Sequence, residues 1–329
     1  MLRILGRLVA ALVVLVVLAV AGFAYLTYGD RSHPAQPTHV IVPRGSTFAD
    51  ISSQLAQAGV IESALAFRAL ARLRHADADV HAGAYLFSAH RSADEVLRSL
   101  QSGGAQVATW VTIPEGFTAE QIARRLQDDG LGDAAAFERV VRTSTLAVDG
   151  ARTASLEGFL FPSTYLVPLD ASPAQIAREF TDQFYKELPP DASARAKALH
   201  VSVPQAVIVA SLVESEAKAD VDRPLIASVI YNRLRLHMPL QIDATIEYAL
   251  PEHKTELSFA DLKIDSPYNT YLHEGLPPTP ISNPGEPSLE AAFHPATTKA
   301  LYYVYCGNGR HVFADTLAQH QSNVARCLH

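Results

Sequence analysis

The chain has 329 residues, enough for one large or two to three ordinary domains, each with a core of its own. Hydrophobic content is ordinary, and the formal net charge of −7 comes without any basic run. That combination excludes nucleic acid as the partner the surface is built for.

The first feature in chain order is an uncharged apolar stretch over residues 8–29. About twenty such residues cross a bilayer as a helix. Arg3 and Arg7 precede it and Asp30 follows, so the positive-inside rule puts residues 1–7 in the cytoplasm and the remainder outside. A cleaved signal peptide would have a shorter apolar core ending at a small-residue site. Ala21-Gly22-Phe23-Ala24 fits that poorly, because the apolar run continues to Tyr25 and Leu26. The expectation is an uncleaved single-pass anchor with Tyr25 and Tyr28 at the outer interface. Cys306 and Cys327, the only cysteines, then lie on the outer side, where an oxidising compartment permits a disulfide. Sequence alone does not bring their Cα atoms within bonding range.

After a polar linker over residues 30–38 the chain repeats itself. Val42-Pro-Arg-Gly45 with Thr47, Ile51, Leu55 and Gly59 aligns with Ile113-Pro-Glu-Gly116 with Thr118, Ile122, Leu126 and Gly130. Tyr85-Leu-Phe87 before Ser92 aligns likewise with Tyr165-Leu-Val167 before Ser172. Two blocks in the same order make a true repeat. Each copy is expected to run strand, Pro-x-Gly turn, amphipathic helix from Thr47 or Thr118, second helix, aromatic strand and closing helix. The opening signature resembles the LysM pattern, a βααβ module that binds N-acetylglucosamine-containing glycans. One module is expected over 39–105, with a second repeat or lead-in over 106–190. A structural repeat that binds nothing is the alternative, most of all for the second copy, which diverges around Leu156-Glu-Gly-Phe-Leu-Phe-Pro-Ser-Thr-Tyr165.

The remaining residues, 191–329, are expected to form a mixed α+β core. Ser202 and Gln205 make a capping box, and Pro204 suits a first helical turn. From Ala206 to Val213 only Ser211 is polar, so this helix should have no solvent face. It ends in two carboxylates, Glu214 and Glu216. Glu214 shares a face with Val203, Val207 and Ala210; apolar walls there would keep a carboxyl protonated near neutral pH. Glu216 lies about 200° around the helix and cannot share that face. The opposing reading is a core helix whose first polar residues mark its exit to solvent. Asp222-Arg-Pro224 starts another helix, followed by Leu240-Gln-Ile-Asp243. A loop then runs from Ser266-Pro-Tyr-Asn-Thr-Tyr271 through Gly275 to the proline-rich stretch ending at Gly285. Tyr268, Asn269 and Tyr271 offer the rings and amide that sugar surfaces use, unless the loop is only a rigid connector. A short helix over 287–292, a β-hairpin over 301–314 with a Gly-Asn-Gly309 turn and a last helix from Thr316 close the chain. Phosphate-loop, dinucleotide and nucleophile-elbow motifs are missing, and the histidines are scattered.

Taken in order, Leu156-Glu-Gly-Phe-Leu-Phe-Pro162, Ala210-Ser-Leu-Val-Glu214-Ser-Glu216, Ala227-Ser-Val-Ile-Tyr-Asn-Arg-Leu234, Leu240-Gln-Ile-Asp243, Ser266-Pro-Tyr-Asn-Thr-Tyr271, Gly275-Leu-Pro-Pro278 and His294-Pro-Ala296 resemble the endolytic murein transglycosylases, the MltG/YceG-like family. One departure is Ala217-Lys-Ala-Asp220, where the block usually carries a threonine. The resemblance implies an α+β fold with a single N-terminal transmembrane helix, an outward LysM-like βααβ module and a mixed α+β catalytic domain. It implies the bacterial inner membrane as the location, peptidoglycan strands as substrate, wall-synthesis enzymes as partners, and no metal or organic cofactor. It carries the family's catalytic glutamate onto Glu214, with Glu216 supporting. The reaction implied is cleavage of the MurNAc–GlcNAc β-1,4 bond with formation of 1,6-anhydro ends, terminating nascent strands near the membrane. Gln241, Asp243, Tyr268, Asn269 and Tyr271 are the candidate substrate contacts, Gln241 or Asn269 orienting an acetamido group. Two rivals stay open: a muramidase-type hydrolase with Asp243 as its second carboxylate, and a non-catalytic glycan-binding anchor or scaffold.

Overall fold

The computed structural model describes residues 2–29, 31–103, 106–250, 254, 257–307 and 309–327. Asp30 of the linker and Asn308 of the hairpin turn lie outside the described residues. The chain divides into two compact units, Met1–Val111 with Tyr165–Asp170, and Thr112–Thr164 with Ala171–His329.

In the first unit, α1 (Leu2–Ala24) continues into a π-helical turn, Tyr25–Gly29. The span Ile4–Gly29 is long and apolar enough to cross a membrane. The consecutive residues Val13, Val14, Leu15, Val16 and Val17, which together circle the helix, are all exposed, a surface that suits lipid and not water. The repeat is present element by element. The first copy runs β1 (Thr38–Val42), α2 (Phe48–Gln57), α3 (Ala64–Leu73), β2 (Gly83–Phe87) and α4 (Ala93–Ser102). The second runs β3 (Gln106–Thr112), α5 (Ala119–Asp128), α6 (Ala134–Thr143), a small hairpin of β4 (Ala147–Val148) and β5 (Ala151–Arg152), then β6 (Thr164–Pro168) and α7 (Pro173–Glu187). Equivalent helices carry equivalent caps, with capping boxes at Thr47 and Thr118 and again at Ser92 and Ser172. The two copies do not fold as separate modules. Their strands form one sheet in the order β1-β2-β3-β6, while residues 112–164 and α7 belong to the second unit. The first unit's core is Val42, Leu55, Phe67, Tyr85, Phe87 and Leu97 beneath that sheet.

The β4–β5 hairpin was not anticipated. Asp149 and Gly150 turn it with φ of 50° and 78°, and an Asp-Gly pair is the residue choice such a two-residue turn demands.

The second unit is organised around α9 (Val203–Glu216), which follows the short α8 (Ala192–Ala198) across an 86° bend. Its capping box forms as expected, with the Ser202 N–H donating to Gln205 Oε1 at 2.8 Å. Every residue from Ala206 to Val213 is buried. Around it stand α10 (Arg223–Arg235), α11 (Asp243–Ala249) and α12 (Glu286–Phe293), then the hairpin β7 (Tyr302–Tyr305) and β8 (His311–Ala314), and α13 (Leu317–Cys327). A disulfide between Cys306 and Cys327 ties the end of β7 to the end of α13. Asp222 does not cap α10 with its side chain. It is buried at the foot of the hairpin and accepts from His311 N at 2.7 Å and Arg310 Nε at 2.9 Å. Burial alone would raise its pKa; the bonds from His311 and Arg310 outweigh that and hold it below the ordinary value.

The proline-rich loop before α12 meets the 156–162 segment at Gly158, whose φ is +87° and whose missing Cβ would collide with the Pro280 ring. Gly158→Ala should therefore destabilise the fold by about 2 kcal/mol or more, read as a lowered denaturation midpoint at unchanged m-value.

Candidate functional site

An apolar helix that ends in two carboxylates must satisfy each where it emerges, and the last turn of α9 sends them to different environments. Glu214 keeps only 7% of its side chain exposed. Its Oε1 accepts from Arg223 Nη1 at 3.2 Å and its Oε2 from the Gly285 N–H at 3.0 Å. Arg223 also binds Asp220 at 3.0 Å and donates to Ser288. Gly116 packs against the Glu214 Cγ, and Glu115 lies beside Gly285. Burial, and next the Glu214 charge, raise the Glu115 pKa. The walls around Glu214 are thus polar and cationic, in contrast to the apolar pocket expected from the face it shares with Val207 and Ala210. Helical phase placed the residue correctly; it said nothing of an arginine arriving from the next helix.

Glu216 points elsewhere. Tyr303 of β7 donates its hydroxyl to Glu216 Oε2 at 3.0 Å. Burial of the carboxyl lifts the Glu216 pKa from 4.5 to about 7; the Tyr303 bond opposes this, and the nearby Asp243 charge adds to it. Asp243, at the start of α11, accepts a hydrogen bond from the Tyr271 hydroxyl. Burial first, then Asp243 and Glu216, push the Tyr271 pKa upward. Gln241, two residues before Asp243, is exposed and adopts a left-handed backbone with φ of 52°, its N–H held by Thr270 O at 3.0 Å. The structure therefore gathers Glu216, Asp243, Tyr271 and Tyr303 into one cluster, and Glu214 into another with Arg223.

Two of the loop residues serve the loop itself. Asn269 is fully buried; its amide donates to Leu262 O and Ile264 O at 3.1 and 2.9 Å and accepts from Tyr271 N at 2.9 Å. Both N–H donors are used and the side chain has no exposed surface, so the residue shapes the turn that presents Tyr271. Tyr268 is half-buried, its hydroxyl 2.7 Å from Thr279 Oγ1 and its ring 5.0 Å from that of Tyr248.

A third carboxyl escaped notice in the sequence. Glu157 is 5% exposed and accepts from Ala119 N at 3.0 Å, Asn283 Nδ2 at 2.9 Å and Tyr248 OH at 3.2 Å. Burial outweighs those bonds and lifts its pKa to about 7. Asn283 accepts from Gly158 N and Leu160 N, both at 2.9 Å, and donates to Phe117 O. The Leu156–Pro162 block is thus a scaffold that binds the proline-rich loop to the start of α5. For the same reason the core expected at 191–329 is incomplete without residues 112–164. Glu157, Asn283 and Tyr303 leave no local signal, since each acts on a residue far along the chain, and Arg223 reaches Glu214 only across the turn between two helices. Only the burial of Glu157 could have been guessed, from the apolar residues Phe159 to Phe161 that follow it.

Residues 40–326 match the YceG-like family. A Bacillus subtilis (strain 168) protein named endolytic murein transglycosylase is 36% identical over 298 residues, 86% of this chain and 82% of its own. A Streptococcus pneumoniae (serotype 2, strain D39) protein of the same name is 31% identical over 316 residues, 86% of this chain and 57% of its own. A crystal structure of a putative yceG-like protein from Listeria monocytogenes aligns with a TM-score of 0.62 at 32% identity, covering 88% of this chain and 99% of that one.

The raised pKa of buried Glu157 fixes a sign for stability against pH. The folded state holds the proton up to about 7 and the unfolded state releases it near 4.5, so the contribution is complete below pH 4.5 and is lost as pH rises to 7. Over that interval the loss is on the order of 3 kcal/mol, at about 1.4 kcal/mol per pH unit. Glu157→Gln should flatten the fall in urea stability between pH 5 and 8 that the parent chain shows.

Proposed function

Because the chain belongs to the YceG-like family, we propose that it is a membrane-anchored endolytic transglycosylase of peptidoglycan in which Glu216, and not Glu214, moves the protons. The observation that carries this assignment is the Glu216 carboxyl: lifted to about 7, bound among the described residues by Tyr303 through Oε2, and bordered by Asp243 and Tyr271. A group of that pKa can donate and then accept at neutral pH. Glu214 lacks this freedom, since Arg223 and the Gly285 N–H engage its two oxygens as acceptors.

Protonated Glu216 gives its Oε1 proton to the glycosidic oxygen between the N-acetylmuramic acid and N-acetylglucosamine units, and the C1–O bond breaks. The resulting carboxylate takes the proton of the muramoyl 6-hydroxyl as that oxygen bonds to C1, which regenerates Glu216 and leaves a 1,6-anhydro end. No water enters the balance. Tyr303 holds the idle carboxylate oxygen, and Gln241, Tyr271 and Tyr268 are the polar and ring surfaces for the sugar. Helix α1 as an inner-membrane anchor, with residues 1–7 cytoplasmic and the rest periplasmic, puts the cut close to where strands are made and where wall-synthesis enzymes act.

The proximity of Asp243 to Glu216 favours one second reading, hydrolysis by a carboxylate pair. Mass spectrometry of the cut ends separates the two: anhydro ends for the transglycosylase, water-derived reducing ends for the hydrolase. Asp243→Asn should weaken the transglycosylase and silence the hydrolase.

Glu216→Gln should lower cutting of sacculi by 10²–10⁴-fold, on the order expected of a lost general acid–base, with the circular dichroism spectrum unchanged. Glu214→Gln removes the charge from one of the two carboxylates that pair with Arg223 and should cost about 1–3 kcal/mol of stability, with the folded fraction still able to cut. The reverse pattern would restore Glu214 as the acid. For the parent chain, kcat/KM should fall as pH rises through about 7, because the alkaline form of Glu216 has no proton to give.

A further inference from the structure

A cavity of about 290 Å³ opens at the start of α9, lined by Arg152, Phe159, Gln205, Pro278, Thr279 and Pro280 among others. Arg152, the last residue of the unanticipated β4–β5 hairpin, is exposed and has no ion-pair partner among the described residues. Gln205 Oε1 is occupied by the Ser202 N–H, so what this side chain can offer the cavity is its Nε2 donor. Among the described residues no carboxylate belongs to the lining. Alongside apolar walls such as Phe159, Ile208 and Pro280, the polar groups are the Arg152 guanidinium, the Gln205 amide donor and the hydroxyl side chains of Thr153, Ser155, Ser202 and Thr279, which is the chemistry of a site for a carboxylate on a small alkyl group.

Its position relates it to Glu216. From Gln205 to Glu216 is eleven residues of one helix, three turns and about 20°, so both residues lie on one face of α9, about 16 Å apart along the axis. Val209 and Leu212 between them are buried, so the surface joining the two ends is made by the elements that cover them. Tyr268 belongs to that cover: it packs on the α9 core, and its hydroxyl meets Thr279 of the cavity wall. A muramoyl residue seated at Glu216 carries a stem peptide of about five residues, which spans about 17 Å when extended.

We infer that this cavity receives the carboxylate terminus of the stem peptide on the muramoyl residue being cut, with Arg152 as its counter-ion. The inference rests on the Glu216 reading for the position of the sugar. It makes the enzyme selective for strands that still carry full-length stems.

The test uses the full chain in detergent. Calorimetry with a synthetic stem pentapeptide acid, which needs no cleavage, should show binding that weakens about tenfold in Arg152→Gln and about as much when the peptide ends in a carboxamide. Equal binding by parent and variant, equal binding of acid and amide, or no binding to the parent overturns the proposal. So does displacement by inorganic phosphate at concentrations comparable to the peptide, which would assign the cavity to a free anion. In the cleavage arm, Arg152→Gln should raise KM about tenfold on stem-bearing strands, with kcat unchanged and amidase-stripped strands unaffected. An equal effect on both strands, or none on either, overturns it. A fully active Glu216→Gln would sink the assignment of the acid and leave the peptide-binding result standing, so the two failures are distinguishable.

Discussion

The second unit depends on how a helix without a solvent face is brought to an end. Between Ala206 and Val213, α9 gives water nothing to solvate, and within three residues it must dispose of two ionisable groups. Burying either unpaired would cost several kcal/mol. Helical phase sends them apart, and the protein meets the cost twice by different means. Glu214 is paired with Arg223 and accepts from a backbone N–H. Glu216 is buried beside the Asp243 charge, and burial first and that charge second outweigh the hydrogen bond from the Tyr303 hydroxyl and favour the protonated form. One helix end thereby holds an ion pair and, two residues on, the proposed acid.

The proline-rich loop is constrained by a shortage of donors. Pro277, Pro278, Pro280 and Pro284 bring no N–H, so the few amides between them must do all the anchoring. Ile281 N donates to Ser211 Oγ at 3.1 Å, Asn283 N to Phe117 O at 2.9 Å and Gly285 N to Glu214 Oε2 at 3.0 Å. Ser211, the single polar interruption of the buried helix, has this task. Glu157 and Asn283 extend the same network to the start of α5, so the loop is held by buried polar bonds where its sequence supplies little apolar area. Such networks are valuable only when complete, and the donors and acceptors of Asn283 are all engaged.

What could be read in the sequence follows from how local the governing chemistry is. Thr47, Ser92, Thr118, Ser172 and Ser202 each announce a helix through a partner three residues away, and all five caps are present. The burial of α9 was equally legible, because composition alone removes its solvent face. The environment of Glu214 was not, since Arg223 reaches it from the next helix; nor was that of Glu216, whose Tyr303 lies 87 positions on. The proposed choice between the two carboxylates rests on which of them meets a cation, and Arg223 arrives from a different helix. Asn269 shows the opposite error: a polar residue in a loop was read as facing a ligand, yet a loop of this length must satisfy its own carbonyls, and a buried amide does so.

The hairpin that carries Tyr303 gives the proposed acid its precision. If Tyr303 swung away, the Glu216 oxygens would be equivalent and either could hold the proton; with Oε2 bonded, the proton is directed to Oε1. That selection is as firm as the hairpin is fixed, and it is fixed at three points. Asp222 clamps His311 and Arg310 at the start of β8, Arg233 Nε donates to Leu301 O at 2.7 Å just before β7, and the Cys306–Cys327 bond closes the end of β7 onto α13. Two of these anchors, Asp222 and Arg233, flank and belong to α10, the helix whose Arg223 pairs with Glu214. One helix therefore positions both carboxylates of α9, one directly and one through the hairpin. A lone carboxyl that must act first as acid and then as base needs its geometry unchanged between the two steps, and this shared support supplies it.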